Sequence, residues 1–471
     1  MKKYGKATVC WWVLLIVALG LIAGVQSRPV QRWLTESSRN AADAAVGLLQ
    51  LDIVSKLAVG TKAISPSADN AMKLFGDIEK SATTNGLKVR AAIVAGELLG
   101  ANEAIQRLDK LLDGTEESGQ IDFSGNGFSS EAMLLKEWYE YKVNGEEGFD
   151  LLVRWSELGR PLDWYVDLAS VYGLPNDEPF RKTLIDDAIR AVFAIGFAVM
   201  VIFGGLLLGL ILLVVGLVLY YKGILKPKFK KRIEKRPVYL GTMTIFLLLM
   251  IGLSLTAKLT LFVISDDIVY EQKQYIGWAL KLMLYAGMPM ALLYPIIRGT
   301  KCGVMKKDVG WHCGGDGFVG FLKEIGAGII GYLAGLPLVA LSVLLAAILS
   351  KVTGEQGGHP IVSELSDGRV WLIVFALAMA IIWAPLVEES VFRGVFFAHM
   401  RRRCGFWWSA IVVAFVFAAI HPQSLVGLPP IMALSIVFTV MREWRGSLIG
   451  PMFAHAMHNG MVTIFVLVIM H

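Results

Sequence analysis

From Ala191 to Tyr221 no charged residue interrupts the chain. That stretch exceeds the ~18 apolar residues that mark a membrane span. Comparable runs cover Val9–Val25 and residues 239–264, 275–298, 318–350, 407–421, 425–441 and 447–470, and another begins at Val370. The expected fold is all-α: a polytopic transmembrane helical bundle of about nine spans. Hydrophobic residues make up 55% of 471 positions and the mean hydropathy is +0.58, which excludes an ordinary soluble protein.

Charge placement orients the spans. The formal net charge is +6, and Lys and Arg gather in short segments between apolar runs, most densely at Lys222–Arg236 (KGILKPKFKKRIEKR). Such a run beside a span reads as a cytoplasmic loop facing anionic lipid; membrane lipid is an expected partner and nucleic acid is not. With the N-terminus cytoplasmic, alternating spans put every strongly basic loop on one side: Lys222–Arg236; Lys301, Lys306 and Lys307; Arg401–Arg403; Arg442 and Arg445. Asp266-Asp267 and the polar loop 351–368, with His359, fall on the other. This describes a multi-pass protein of the cell membrane.

Four parts follow. Residues 1–27, where Lys2, Lys3 and Lys6 precede the first apolar run, read as a signal anchor, or as a signal peptide if Val25-Gln-Ser27 is cleaved. Residues 28–186 form a soluble helical domain, which this topology places outside the cytoplasm. Residues 187–317 are transmembrane helices with basic loops, and residues 318–471 form a membrane core. In the soluble part, periodicity predicts helices over 36–63, 66–82, 129–143, 147–158 and 163–172, and a helix–turn–helix across Leu87–Leu112 broken at Gly100-Ala-Asn102. Asp122–Gly127 reads as a loop. The pattern suits a plain helical domain or a loosely tetratricopeptide-like adaptor with a peptide or protein partner; no period of about 34 residues is demonstrable. Cys10, Cys302, Cys313 and Cys404 show neither zinc-site nor disulfide spacing.

Ionisable residues inside apolar runs narrow the function. Ala384–Gly394 (APLVEESVFRG) carries Glu388, Glu389 and Arg393 within the run that begins at Val370. A charge there costs roughly 2.5–3.5 kcal/mol on insertion scales, so it is paired, water-facing or functional. Glu389 and Arg393 stand at i,i+4 and can form an ion pair. Glu388 points about 100° away and has no partner in its own helix, which makes it a candidate general base. His421, His455 and Asn459 also lie in apolar runs; His455 and Asn459 share a face, with His458 beside them. Glu388 and His421 are about equally far, roughly 25 Å, from a hairpin tip near residues 404–405, whereas His455 is closer to its own turn near Arg445.

A carboxylate, two imidazoles and a carboxamide can hydrolyse an acyl bond. Glu388 would take a proton from water, helped by His421, while His455 and Asn459 would donate to the oxyanion. The alternative places a zinc ion on His421, His455 and a carboxylate, so the cofactor is none or zinc. The HExxH zincin signature is absent, and no serine or cysteine stands in a comparable context; Ser390 is only adjacent to the glutamates.

Glu388-Glu389-x-x-x-Arg393, Phe417-x-x-x-His421 and His455-x-x-x-Asn459, with Ala384-Pro385, Phe392 and Gly394 around the first, resemble the CPBP family of intramembrane proteases. That family includes the type II CAAX prenyl endopeptidases and proteins linked to bacteriocin self-immunity. The resemblance covers roughly residues 318–471. It implies that Glu388 is the catalytic glutamate, that His421, His455 and Asn459 bind water, oxyanion or metal, and that Glu389 and Arg393 are architectural. The expected function is an intramembrane endopeptidase acting on a membrane-associated protein or peptide. The rival readings are a non-catalytic scaffold or immunity factor of the same fold, and a transporter using the intramembrane charges as a relay.

Overall fold

The computed structural model describes residues 2–26, 47–66, 68–117, 128–145, 148–159, 162–230, 237–264, 270–314, 316–353, 370–421 and 425–470. Ser27 of the cleavage site, the start of the helix expected from residue 36, the Asp122–Gly127 loop, residues 231–236 of the basic run, Asp266-Asp267, and residues 354–368 with His359 lie outside them. Among the described residues every regular element is helical.

In chain order these are α1 (Lys2–Gln26), α2 (47–64), α3 (Ala68–Ser81), α4 (Asn85–Leu99), α5 (Ala101–Glu117), α6 (Phe128–Asn144), α7 (Leu151–Glu157), α8 (Trp164–Ser170) and α9 (Pro179–Tyr221). The second half has α10 (Val238–Val263), α11 (Tyr270–Gly287, with tighter turns on to Ile297), α12 (Cys302–Val309), α13 (Gly317–Thr353), α14 (Val370–Arg401), α15 (Phe406–Ala419), α16 (Leu428–Arg445) and α17 (Ile449–Met470).

Two compact units are present, one consisting mainly of Asp43–Ile202 and the other mainly of Phe203–Phe465 with the N-terminal segment. In the first, α4 is the centre. Val89, Ala91, Ala92, Ile93, Val94, Ala95 and Leu98 bury nearly its whole circumference, and α3, α5, α6 and α8 pack around it. A helix apolar on all sides belongs inside a core. Local chemistry sets its ends: Thr84 accepts from the Leu87 N–H at the start, and Gly100 stops it at a φ of 109°. Asp150 and Asp163 cap α7 and α8 in the same way. Arg181, at the start of α9, forms a two-pronged ion pair with Glu97 of α4 at 2.6 and 3.1 Å.

The soluble segment was expected to end at 186, before a span starting at Ala191. Across that boundary α9 runs unbroken for 43 residues, because neither glycine nor proline interrupts the chain from Phe180 to Ile195. At 1.5 Å per residue it is about 65 Å long, twice the ~30 Å hydrocarbon thickness.

Among the described residues seven segments are long and apolar enough to cross a membrane: those within α1, α9, α10, α11 and its continuation, α13, α14 and α16. The two other expected spans correspond to α15, a shorter apolar helix of 14 residues, and to α17, a 22-residue helix that carries His455, His458 and Asn459. In this unit Leu15, Ala18 and Ile22 of α1 are buried with Leu240, Met243, Phe246 and Leu247 of α10. α13 meets α16 through a glycine face: a Cβ on Gly331 would lie 2.7 Å from Met441, and one on Gly335 would lie 2.5 Å from Val437. Small residues of this kind let membrane helices approach closely. That contact sets the position of α16, which carries Phe438 to the site.

Candidate active site

The site is built on α14, which is not a uniform α-helix. Wide π turns at Met379–Trp383 and Ser390–Phe396 flank a short α segment, Ala384–Glu389. Pro385 accounts for the first. The Ala384 N–H bonds back to the Met379 carbonyl, so the Ala380 carbonyl would next need the N–H of residue 385, which proline lacks. Asn459 of α17 fills the gap, its Nδ2 donating to the Ala380 carbonyl at 2.7 Å. One amide hydrogen of Asn459 remains.

Beyond the proline, the two glutamates separate in environment. Glu389 is fully buried and its Oε1 accepts from Arg393 Nη1 at 2.8 Å, as the i,i+4 spacing predicts. The Arg393 guanidinium, also fully buried, lies 4.4 Å from the Phe417 ring centre and 5.3 Å from that of Phe438. Glu388 keeps 17% of its side chain exposed, so it is the carboxylate of the two that solvent or substrate can reach.

His455 joins them. Its Nδ1 lies 2.9 Å from Glu389 Oε1 and its Nε2 lies 4.0 Å from Glu388 Oε2. A carboxylate accepts, so Nδ1 carries the hydrogen and Nε2 is presented to Glu388. A gap of 4.0 Å is too long for a direct hydrogen bond and suits one bridging water. Phe438 stacks on the imidazole at 5.3 Å and 25°.

His421 is held differently. It follows the last turn of α15 and precedes Pro422 in sequence, a position that disfavours continued helix. Its Nδ1 donates to the Phe417 carbonyl at 2.7 Å, which leaves Nε2 as an acceptor. Its ring lies 4.7 Å from that of Phe417, which in turn lies 6.3 Å from His455. Phe417 thus touches both histidines and Arg393. His458, adjacent to the site in sequence, is bonded to the Tyr332 hydroxyl at 3.0 Å. Ser390 is saturated: it donates to the Leu386 carbonyl at 2.6 Å and accepts from Trp311 Nε1 at 2.8 Å.

Among the described residues no group of three or more His, Cys, Asp or Glu side chains could hold a metal ion. The Nδ1 atoms of both histidines rest on Glu389 and on the Phe417 carbonyl, which leaves Nε2 as the free ring nitrogen of each.

Several of these partners were not named from the sequence. Phe438, Tyr332, Trp311 and the Ala380 carbonyl reach the site from other helices or from the backbone, and no local pattern marks them. Pro385 alone carried a signal, since an internal proline must leave a carbonyl without its donor.

Fold and site together define a polytopic helical membrane protein whose core holds a buried Glu–Arg–His cluster beside a partly exposed glutamate. Residues 369–461 match the family described as Type II CAAX prenyl endopeptidase Rce1-like, so the C-terminal part of the chain carries a domain of that family. The "Membrane-embedded CAAX protease MroQ" of Staphylococcus aureus (strain USA300) is 27% identical over 140 residues, 28% of this chain and 56% of that protein. An "Uncharacterized 24.3 kDa protein" of Escherichia coli is 28% identical over 102 residues, 21% of this chain and 47% of that protein. The chain thus spans about half the length of these curated relatives. No solved structure matches it.

Proposed function

We propose that the protein is a membrane endopeptidase that hydrolyses a peptide bond of a membrane-associated protein or peptide, with Glu388 activating water. The observation that carries this reading is the 4.0 Å space between Glu388 Oε2 and His455 Nε2, with Glu389 holding the far side of the imidazole. A water there donates one hydrogen to Glu388, and His421 Nε2 can accept the other. Glu388 takes the proton as the water oxygen adds to the peptide carbonyl carbon. In this reading His455 enters and leaves the reaction as the imidazolium, its Nδ1–H on Glu389 and its Nε2–H toward the water. The oxyanion receives hydrogen bonds from that Nε2–H and from the remaining amide hydrogen of Asn459, and His455 itself moves no proton. Glu389 stabilises the imidazolium through Nδ1, as the aspartate does in a serine-protease triad. Glu388 then passes its proton to the leaving amine, so one water is consumed and an acid and an amine are released.

The family match over residues 369–461 supports the reaction class, and the name of the staphylococcal relative supports a protease that is itself embedded in the membrane. No step uses a metal. In the same reading the N-terminus is cytoplasmic, and residues 28–186 lie outside the cytoplasm and engage a peptide or protein partner.

The test is cleavage of quenched fluorescent peptides by the full-length protein in liposomes, with and without a metal chelator. Wild type should cleave equally in both conditions, and Glu388→Gln should lose about 10²–10⁴-fold while unfolding at the wild-type midpoint. Loss of cleavage on chelation, or retention in Glu388→Gln, contradicts the mechanism.

A further inference from the structure

We propose that a cavity of about 690 Å³, where α13 begins and α16 ends, binds a phosphate-bearing anion at the level of the lipid headgroups, gripped by Lys228, Lys230 and Lys307 around Arg442. The volume lies within the usual range for small-molecule sites, about 300–1,000 Å³. Helix ends of two candidate spans form its wall, which sets it at the membrane boundary.

The charge in the cavity is uncompensated. Three carboxylates line it, and each is taken: Asp316 by Lys323 at 2.7 Å, Glu324 by Arg445 at 2.7 Å and Asp308 by Arg402 at 3.1 Å. Among the described residues no carboxylate pairs with Lys228, Lys230 or Lys307. Arg442 is 1% exposed, and its donors go to main-chain carbonyls of Asp308 at 2.9 Å, Arg393 at 3.3 Å and Gly446. Its guanidinium lies against Gly310, where a Cβ would come within 2.7 Å of it. A buried guanidinium whose donors are spent on main-chain carbonyls, in one cavity with three exposed lysines that no carboxylate among the described residues pairs with, leaves positive charge for an anion from outside the chain.

The lysines are also held in place. The N–H groups of Lys228 and Phe229 donate to the Glu443 carbonyl at 3.1 Å, which straps this extended stretch to the end of α16. The Phe229 ring is anchored edge-on against Phe397 at 5.3 Å. Lys228 and Lys230 flank that anchor and face the cavity, so little ordering is left for binding to supply. Lys228, Phe229 and Lys230 of the basic run therefore contribute a formed wall, where the sequence alone indicates only a loop near lipid.

The test is native mass spectrometry of the full-length protein from micelles containing phosphatidylglycerol or phosphatidylcholine; its readout is binding, independent of the proteolytic reading. Wild type should retain one phosphatidylglycerol in preference to phosphatidylcholine. The triple variant Lys228→Gln, Lys230→Gln, Lys307→Gln should bind it on the order of a hundredfold more weakly. A control triple at Lys222, Lys226 and Lys301, none of which lines the cavity, should behave as wild type. Millimolar inorganic phosphate distinguishes the sources: if it displaces the lipid, the occupant is a free phosphate, and if the lipid persists, the occupant is a headgroup. Equal retention of the two lipids, or wild-type binding by the cavity triple, overturns the proposal.

Discussion

Arg393→Met would leave the Glu389 carboxylate in the core with His455 as its sole hydrogen-bond partner. Both members of the Glu389–Arg393 pair are fully buried, and Glu389 Oε1 already accepts from both Arg393 and His455. Breaking a buried pair by removing one partner costs about 3–5 kcal/mol, most of it the desolvated charge left behind. The cation–π contacts with Phe417 and Phe438, worth up to about 2 kcal/mol when desolvated, push the loss toward the upper end. The double variant Glu389→Gln, Arg393→Met removes both charges and should lie within about 2 kcal/mol of wild type, a coupling of at least about 2 kcal/mol. The assay is unfolding of the four proteins of this cycle in mixed detergent micelles, followed by tryptophan fluorescence. A double variant no more stable than Arg393→Met would refute the charge argument and leave only lost packing.

Two further outcomes follow from the contacts. Ser390→Ala removes hydrogen bonds to Leu386 and Trp311 and should cost about 0.5–1.5 kcal/mol while cleavage persists, whereas a nucleophilic serine would take all activity with it. In the unit built mainly of Asp43–Ile202, burial raises the Asp52 carboxyl pKa above its ordinary 3.8, partly offset by the hydrogen bond from Tyr165. The folded domain therefore holds that proton more tightly than the unfolded chain. This stability is full below pH 3.8 and is lost as pH rises through the folded-state value. Asp52→Asn should raise the thermal midpoint at pH 7, with the advantage vanishing near the unfolded pKa; thermal scans of the full-length protein across that range check it.

The helices of the unit around α4 were legible because their signals are local. Residues 66–82 were expected and Ala68–Ser81 is found; the break at Gly100-Ala-Asn102 falls at the positive-φ Gly100 between α4 and α5. The i,i+4 pair of Glu389 and Arg393 was legible for the same reason. Less could be read of what depends on distant partners. His455 reaches Glu389 across 66 positions, and Arg442, read as a surface charge beside a span, is buried against carbonyls from three segments. The π turns were missed because the hydrophobic pattern of Val370–Arg401 does not distinguish them from α-helix; proline chemistry and the reach of Asn459 do.

The central claim is that Glu388 drives proteolysis. The measurement that bears on it most directly compares newly formed protein N-termini in cell envelopes of wild type, a deletion strain and a Glu388→Ala strain by N-terminal-enrichment mass spectrometry. The account predicts that the same termini vanish in the deletion and in Glu388→Ala, with the variant protein present at wild-type abundance. Termini that vanish in the deletion and persist in Glu388→Ala would contradict it, and would make the chain a scaffold for another protease.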